Sequence, residues 1–177
     1  VRSRTRVTPA VFAAAPCLKV VGRAGVGVDN IDLQAAAEAG VLVVNAPQAA
    51  TLAAAEHTLG LMLALSRQIP AADRSMKAGE WRKNDLIGVE LFGKTLGIVG
   101  VGNIGSAVAQ RARLLGMEVL GYDPHLEAQA MRQRGAEPVE LDQLYARSDF
   151  ISLHVPLNLQ TRGLLDAAAF RRMKPGV

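Results

Sequence analysis

The sequence predicts an α/β fold built on a doubly wound parallel sheet. Three observations carry that reading. Short apolar runs rich in β-branched residues recur along the chain, helical stretches between them stop at glycine, and one run enters its helix through a glycine-rich turn. Strand, crossover helix and parallel strand are the repeating unit of such a sheet.

Composition narrows the class. The chain has 177 residues, half of them apolar and 20% charged, a balance that suits a globular protein with its own core. That length accommodates one domain or two small ones. The longest apolar run, Thr58 to Leu65, is far below the roughly 18 residues that span a bilayer, so no membrane partner is expected. Net charge is a modest +4 and aromatic residues are 4% of the chain, leaving no stacking surface for single-stranded nucleic acid. Nucleic acid is therefore not an expected partner. No Cys/His cluster has zinc-ligand spacing, so no metal is expected. The basic excess suits a small anionic ligand. Cys17 is the only cysteine and precludes an internal disulfide, which points to a reducing, cytoplasmic compartment. It reads as a small core residue. No cleavable leader is visible, and a first residue of Val1 rather than Met points to an upstream portion.

In chain order, Val1 to Arg6 reads as a strand end running into a loop, and Pro9 to Ala15 as a short helix closed by Pro16. Leu18 to Gly22 is a strand. Ile31 to Ala39 is a helix with Asp29, Asn30 or Asp32 as cap and Gly40 as stop, and Val41 to Val44 is a second strand. Between them, Arg23 to Asn30 bares its backbone at Gly25 and Gly27, at the carboxyl end of a strand where open α/β sheets bind ligands. The amides of Val26 and Gly27 either hold a carboxylate or belong to a tight connection.

Thr51 to Arg67 is a long, alanine-dense helix whose apolar residues wrap most of its circumference, which predicts burial between two layers or domains. Its neighbours Glu56 and His57 lie about 100° apart on a helix, so they do not form a catalytic or metal pair, and His57 reads as a packing residue. Ala71 to Gly79 is another short helix. Glu80 to Gly93 is a turn-rich connection in which Trp81 and Phe92 read as anchors of an interdomain or subunit contact.

Thr95 to Val99 is a buried strand, and Gly100, Gly102 and Gly105 follow as G-x-G-x-x-G, with a helix from Ser106 to Leu115. The first glycine permits the tight turn, the second lets the backbone approach a pyrophosphate, and the third lets helix and strand pack closely. The next strand, Glu118 to Tyr122, ends in Asp123, eighteen residues beyond Gly105 and close to the roughly 20 expected of the acid that binds the adenosine ribose. Together these parts specify a Rossmann-type dinucleotide site, with the pyrophosphate on the free N–H groups of the helix's first turn. An acid at 123 repels a 2′-phosphate and favours NAD over NADP.

Leu126 to Arg134 is a helix, Ala136 to Leu141 contains a short strand, Asp142 to Ala146 is a helical turn, and Phe150 to Val155 is a strand whose end lies beside the cofactor. There His154 acts either as an acid or base or, the favoured reading, as a strand-end residue lining the site. Ala167 to Met173 is a last helix, and Lys174 to Val177 turns toward a further strand. Residues 95 to 177 thus supply the first half of a doubly wound sheet and its exit helix. Such an incomplete sheet exposes a strand edge and apolar helix faces, which predicts poor solubility for the piece alone.

Several segments together resemble one family. Val1-Arg-Ser, Arg23-Ala-Gly-Val-Gly-Val-Asp-Asn-Ile-Asp32, Asn45-Ala-Pro47, Ala54-Ala-Glu-His57, Ser66-Arg-Gln-Ile-Pro70, Gly93-Lys-Thr-Leu-Gly97, the glycine turn and Tyr122-Asp-Pro124 occur in the order found in D-isomer-specific 2-hydroxyacid dehydrogenases. The Arg23 and Ser66 segments favour the phosphoglycerate branch over the formate, lactate and glyoxylate branches, and the likeness runs over essentially the whole chain.

The resemblance implies an NAD-dependent dehydrogenase of two domains. Residues 1–45 would be part of a flavodoxin-like substrate domain, and 46–177 an incomplete NAD-binding domain entered through the helix at about 51–67. Subunits would pair through the nucleotide domains as homodimers or homotetramers. Carried over by position, Arg2 and Ser3 bind an anionic 2-hydroxy acid, and Val26 and Gly27 offer amides near its carboxylate and the nicotinamide. Asn103 and Ile104 meet the pyrophosphate, Asp123 with Pro124 the adenosine ribose, and Val155 with Pro156 the cofactor's far side.

The resemblance also marks departures. The family's turn usually carries arginine where this chain has Asn103, so backbone amides must do more. Ala50 replaces a common substrate-side asparagine, which bears on substrate affinity or identity. The family's catalytic Arg, Glu and His all follow the Lys-Pro-Gly motif, so no catalytic residue is assigned here and the 177 residues alone should be inactive. The implied reaction is oxidation of 3-phosphoglycerate, the entry to serine synthesis; a glyoxylate or hydroxypyruvate reductase is the runner-up. The family also includes NAD-responsive corepressors, a non-enzymatic alternative.

Overall fold

A computed structural model describes residues 1–177, which divide into two compact units, Val1–Thr51 and Leu52–Val177. No helix is long and apolar enough to cross a membrane.

The first unit is one parallel crossover. Helix α1 (Pro9–Ala14) starts at a proline, whose fixed φ suits a first helical turn. Strand β1 (Val20–Arg23) leads through a loop to α2 (Leu33–Glu38) and back to β2 (Leu42–Asn45). The strands pair in parallel from Val20↔Leu42 to Arg23↔Asn45. Of the three cap candidates Asp32 is the one used, its Oδ1 accepting from the Ala35 N–H at 2.9 Å. Val7, Phe12, Val21, Ile31, Ala36 and Val41 form the core.

One reading is narrowed here and another corrected. Only Val1 of Val1 to Arg6 runs as a strand end, its N donating to Gly22 O at 2.6 Å and its O accepting from the Ala24 N–H at 2.9 Å beside the end of β1. Arg2 to Arg6 is an exposed irregular turn, and Val7 forms an isolated parallel bridge to Ile31. From Arg2 to Arg6 every residue is polar, so that stretch has no apolar face to bury. Cys17 is exposed rather than a core residue.

The second unit is a four-stranded parallel sheet. Helix α3 (Thr51–Ser66) and α4 (Ile69–Lys77) precede β3 (Thr95–Val99), α5 (Asn103–Leu114), β4 (Glu118–Tyr122), α6 (Ala128–Gln133), β5 (Glu137–Pro138), α7 (Leu141–Arg147), β6 (Phe150–Leu153) and α8 (Ala167–Arg171). The strand order is β5-β4-β3-β6, with the glycine-turn strand β3 at the centre between β4 and β6. That order, 3-2-1-4, matches the first four strands of a 3-2-1-4-5-6 sheet, one more than its first half.

Strand alternation assigns each face its helices. Leu96 and Ile98 pack with Ala55, Leu59 and Met62 of α3 and with Ala107, Val108 and Ala112 of α5. Val99 packs on the opposite side with Leu144 and Tyr145 of α7 and Ala169 of α8. Gly97 shares that second face: a Cβ there would stand 2.3 Å from Ser148 Oγ and 2.6 Å from Leu144 Cδ2. The glycine is what admits α7.

The structure revises other expectations. Helix α3 buries Ala55, Leu59, Met62 and Ser66, but Leu52, Leu61 and Leu65 remain exposed, the last 74% so. A helix laid on a sheet hides one stripe. His57 lies on the open side and is exposed rather than packed. Helix α5 begins at Asn103, three residues earlier than Ser106, because the turn itself folds into the helix.

Lys174 to Val177 forms a turn, with Gly176 at φ +80° and the Val177 N–H donating to Lys174 O at 3.2 Å. Asp149 anchors that turn. Its carboxylate accepts from the Thr95 N–H at 2.9 Å and from Lys174 Nζ at 2.8 Å, and the Lys174 bond, with Thr95 second, holds its pKa below the ordinary 3.8. A depressed carboxyl pKa contributes stability at neutral pH that is lost as pH falls below the ordinary value toward the folded one. Asp149→Ala should therefore lower unfolding free energy by about 1–2 kcal/mol at pH 7, the partial exposure of both partners limiting the effect. The difference from wild type should shrink in melts run progressively below pH 4; an unchanged gap at acid pH would reject the assignment.

Candidate functional site

The glycine turn lies at the carboxyl ends of β3, β4 and β6, and each glycine has a different physical cause. Gly100 sits at φ +91°, and a Cβ there would approach His154 O to 2.6 Å and Val155 Cγ1 to 2.8 Å. At Gly105 a Cβ would lie 2.0 Å from the carbonyl oxygen of Gly100, so only glycine lets α5 close on the turn. Gly102 is the opposite case. A Cβ there meets nothing within 4 Å, and its backbone (φ −72°, ψ −153°) is open to any residue. No packing requirement of the chain explains that glycine.

Gly102 is also the N-cap of α5, and no side chain caps the helix. The N–H groups of Asn103, Ile104 and Gly105 therefore have no i−4 carbonyl within the helix. They gather at the positive end of a twelve-residue helix, with the Asn103 side chain exposed beside them. Free N–H groups at a helix start are suited to an anion.

Asp123, half-buried at the end of β4, accepts from the Val101 N–H at 2.9 Å through Oδ2 and from the His125 N–H at 3.0 Å through Oδ1. It braces the turn, and a carboxylate has about four lone-pair positions, so two remain for sugar hydroxyls. Pro124 follows it at the surface. Val155 packs against the turn and Pro156 is exposed beyond it. Gly100, Gly102, Asn103, Ile104, Gly105, Asp123, Pro124, Val155 and Pro156 thus gather along one edge.

His154 continues the ladder through its N–H to Val99 O at 2.8 Å, and its ring Nε2 lies 2.9 Å from Ser152 Oγ. Burial lowers its pKa from the ordinary 6.5, favouring the neutral ring.

Two contacts escaped the sequence reading. Arg134 Nη1 donates to the Val101 carbonyl at 2.7 Å, across 33 residues. No local pattern announces such a contact. In the first unit, Asn30 Nδ2 donates to the carbonyls of Arg2 (3.2 Å) and Thr5 (2.7 Å), fixing the turn that carries the exposed Arg2 and Ser3.

In the loop after β1, Asn45 Nδ2 donates to Val26 O at 2.7 Å and the Ala46 N–H to Gly25 O at 3.0 Å. The carbonyls of this loop are tied down, whereas the amides of Val26 and Gly27 donate to no backbone carbonyl. They stay available to an acceptor such as a carboxylate.

Residues 59–177 match the family model described as "D-isomer specific 2-hydroxyacid dehydrogenase, NAD binding domain". The chain belongs to this family. NAD is the cofactor of its nucleotide domain. The chain is 52% identical over all 177 residues to a D-3-phosphoglycerate dehydrogenase of Mycobacterium tuberculosis, and 49% identical to one of Archaeoglobus fulgidus, spanning 34% of each. It also resembles the structure of an Aquifex aeolicus D-lactate dehydrogenase complexed with NAD and lactic acid. That match has a TM-score of 0.86 and 32% identity, covering 98% of this chain and 52% of the other. The chain therefore spans about a third of the length of these curated relatives.

Proposed function

We propose that the protein carrying this chain is an NAD-dependent dehydrogenase that oxidises D-3-phosphoglycerate to 3-phosphohydroxypyruvate, a step of serine biosynthesis. The single observation that carries the nucleotide half of this reading is Gly102, a glycine with no protein neighbour at the uncapped start of α5. The names of the relatives at about half identity supply the substrate. The solved D-lactate dehydrogenase supports a runner-up, a reductase acting on a smaller 2-oxo acid.

In this reading residues 1–45 belong to a substrate domain of flavodoxin type and 46–177 to the nucleotide domain. NAD supplies the hydride acceptor. The amides of Asn103 and Ile104, bared by Gly100, Gly102 and Gly105, hold its diphosphate. Asp123, with Pro124 beside it, takes the adenosine ribose, and Val155 and Pro156 line the far side. The Val26 and Gly27 amides hold the substrate carboxylate, Val26 also bordering the nicotinamide, while Arg2 and Ser3 hold the substrate's other anionic end. By resemblance, the proton-accepting histidine and the arginine that orients the substrate follow Lys174-Pro-Gly176. Subunits pair through exposed apolar side chains such as Leu65, Trp81 and Phe92, which are 74–77% accessible. A lone cysteine supports a cytosolic setting.

Assaying the full-length protein with NAD and either 3-phosphoglycerate, glycerate or D-lactate tests the substrate. Turnover on 3-phosphoglycerate is expected; turnover on the smaller acids alone selects the runner-up, and none with any acid favours a non-enzymatic role. Fluorescence titration tests the cofactor. NADPH should bind at least about tenfold more weakly than NADH, because Asp123 repels the 2′-phosphate. Asp123→Asn keeps an acceptor for the Val101 N–H but removes the charge. It should weaken NADH and narrow the preference by about tenfold. Tighter binding of NADPH than NADH by the wild type would reject this role for Asp123.

A further inference from the structure

Residue 101 is gripped at both ends of its backbone. Its N–H donates to Asp123 Oδ2 at 2.9 Å, and its carbonyl accepts from Arg134 Nη1 at 2.7 Å. Its side chain is fully buried in the cluster that includes Met131 and Ala136, and Gly121 makes room for it: a Cβ at Gly121 would come within 2.9 Å of Val101 Cγ2. Without Arg134 this part-buried carbonyl would lose its charged donor, and a buried acceptor left unpaired is costly. The peptide would have reason to rotate, and rotation of residue 101 turns the Gly102, Asn103 and Ile104 amides that follow.

Charge points the same way. From Gly100 to Ser106 the turn carries no charged side chain, and Arg134 is the one cation hydrogen-bonded to it. Arg134 is the C-cap of α6 and Gly135 follows at φ +92°, so the helix end sets the direction from which the guanidinium reaches the turn. Arginine stays protonated at any working pH and has five donors, of which the Val101 carbonyl uses one.

On the strength of the dinucleotide reading above, we infer that Arg134 is a positioning residue for the cofactor's diphosphate. It locks the Val101 carbonyl so that the Gly102–Ile104 amides keep their aim, and it places a fixed positive charge behind a turn that has none. This role belongs to a residue 33 positions from the one it holds, at the end of α6 rather than in the turn. It predicts that loss of Arg134 is felt by ligands that contain the diphosphate and not by those that lack it.

Competition titrations against NADH in the full-length protein test this, with ADP-ribose and adenosine as probes. Arg134→Met keeps most of the aliphatic stem and removes the donor and charge; Arg134→Lys keeps a charge and a donor. Arg134→Met should weaken ADP-ribose about tenfold, the weight of one charge-assisted bond, with adenosine changed by less than about twofold. Arg134→Lys should lie between Met and wild type. An ADP-ribose affinity within about twofold of wild type in Arg134→Met overturns the inference, and so does an equal loss for adenosine, which marks a general loss of structure. Should Arg134→Met fail to melt cooperatively, the same ratio is read from Arg134→Lys. There a loss of about threefold for ADP-ribose alone supports the role, and equal affinities overturn it. Wild-type protein that binds no ADP-ribose overturns the dinucleotide reading itself, a result distinct from a wild type that binds and a variant that matches it.

Discussion

Gly105→Ala should both destabilise the nucleotide unit and abolish cofactor binding. The added methyl would stand 2.0 Å from the Gly100 carbonyl oxygen and 3.2 Å from Ile98 Cγ2. Neither neighbour can yield easily. Gly100 is held by its N–H to Tyr122 O at 2.8 Å, and Ile98 is fully buried in the central strand. Helix α5 must therefore lift away from β3, opening the contacts of Ala107, Val108 and Ala112 on the same helix face.

Alanine gains about 1 kcal/mol over glycine inside a helix, but forced overpacking costs about 1–3 kcal/mol, and the lost contacts add to it. A net loss of about 2–4 kcal/mol should lower Tm by roughly 5–15 °C. NADH affinity should fall at least about a hundredfold, since the displaced amides no longer converge. Thermal melts and fluorescence titration read both effects. A variant that melts with wild type would mean that the close approach of helix and turn is not what the glycine serves.

How far the sequence could anticipate this site follows from how local each part is. The turn was legible because its demands fall within six residues, and Asp123 because the length of α5 and β4 sets its distance from the turn. The sheet was legible because Leu96, Ile98 and Val99 are apolar on both faces, as a strand covered on both sides must be.

Other features depend on partners far along the chain. Arg134 has no signature, since basic residues end many helices and only the fold brings this one to Val101. The turn after Lys174 is set by Asp149, 25 residues away. His57 looked like a packing residue because its helix is apolar nearly all round, and periodicity does not say which stripe meets the sheet.

Gly102→Asp should separate stability from binding, and the direction of each effect is set by one backbone. Residue 102 has φ −72° and ψ −153°, allowed for any side chain, and a Cβ there meets no atom within 4 Å. It is the N-cap of α5, where aspartate is among the favoured residues because its carboxylate accepts the free N–H groups of the first turn. The variant should therefore melt at the wild-type temperature or slightly above, the gain of aspartate over glycine at a cap being a few tenths of a kcal/mol. Those same N–H groups are the ones the diphosphate needs. A side-chain carboxylate that accepts them also brings a negative charge to the place where the diphosphate charge must lie, so NADH binding should fall by at least about a hundredfold. Gly102→Ala, which fills space without charge, should fall between the two in binding while melting somewhat below wild type, alanine being a poorer N-cap than glycine. A Gly102→Asp protein that still bound NADH with wild-type affinity would place the diphosphate away from the start of α5. An intact fold with lost binding would mean that evolution kept an uncapped helix, at a small cost in stability, to leave its first amides to a ligand.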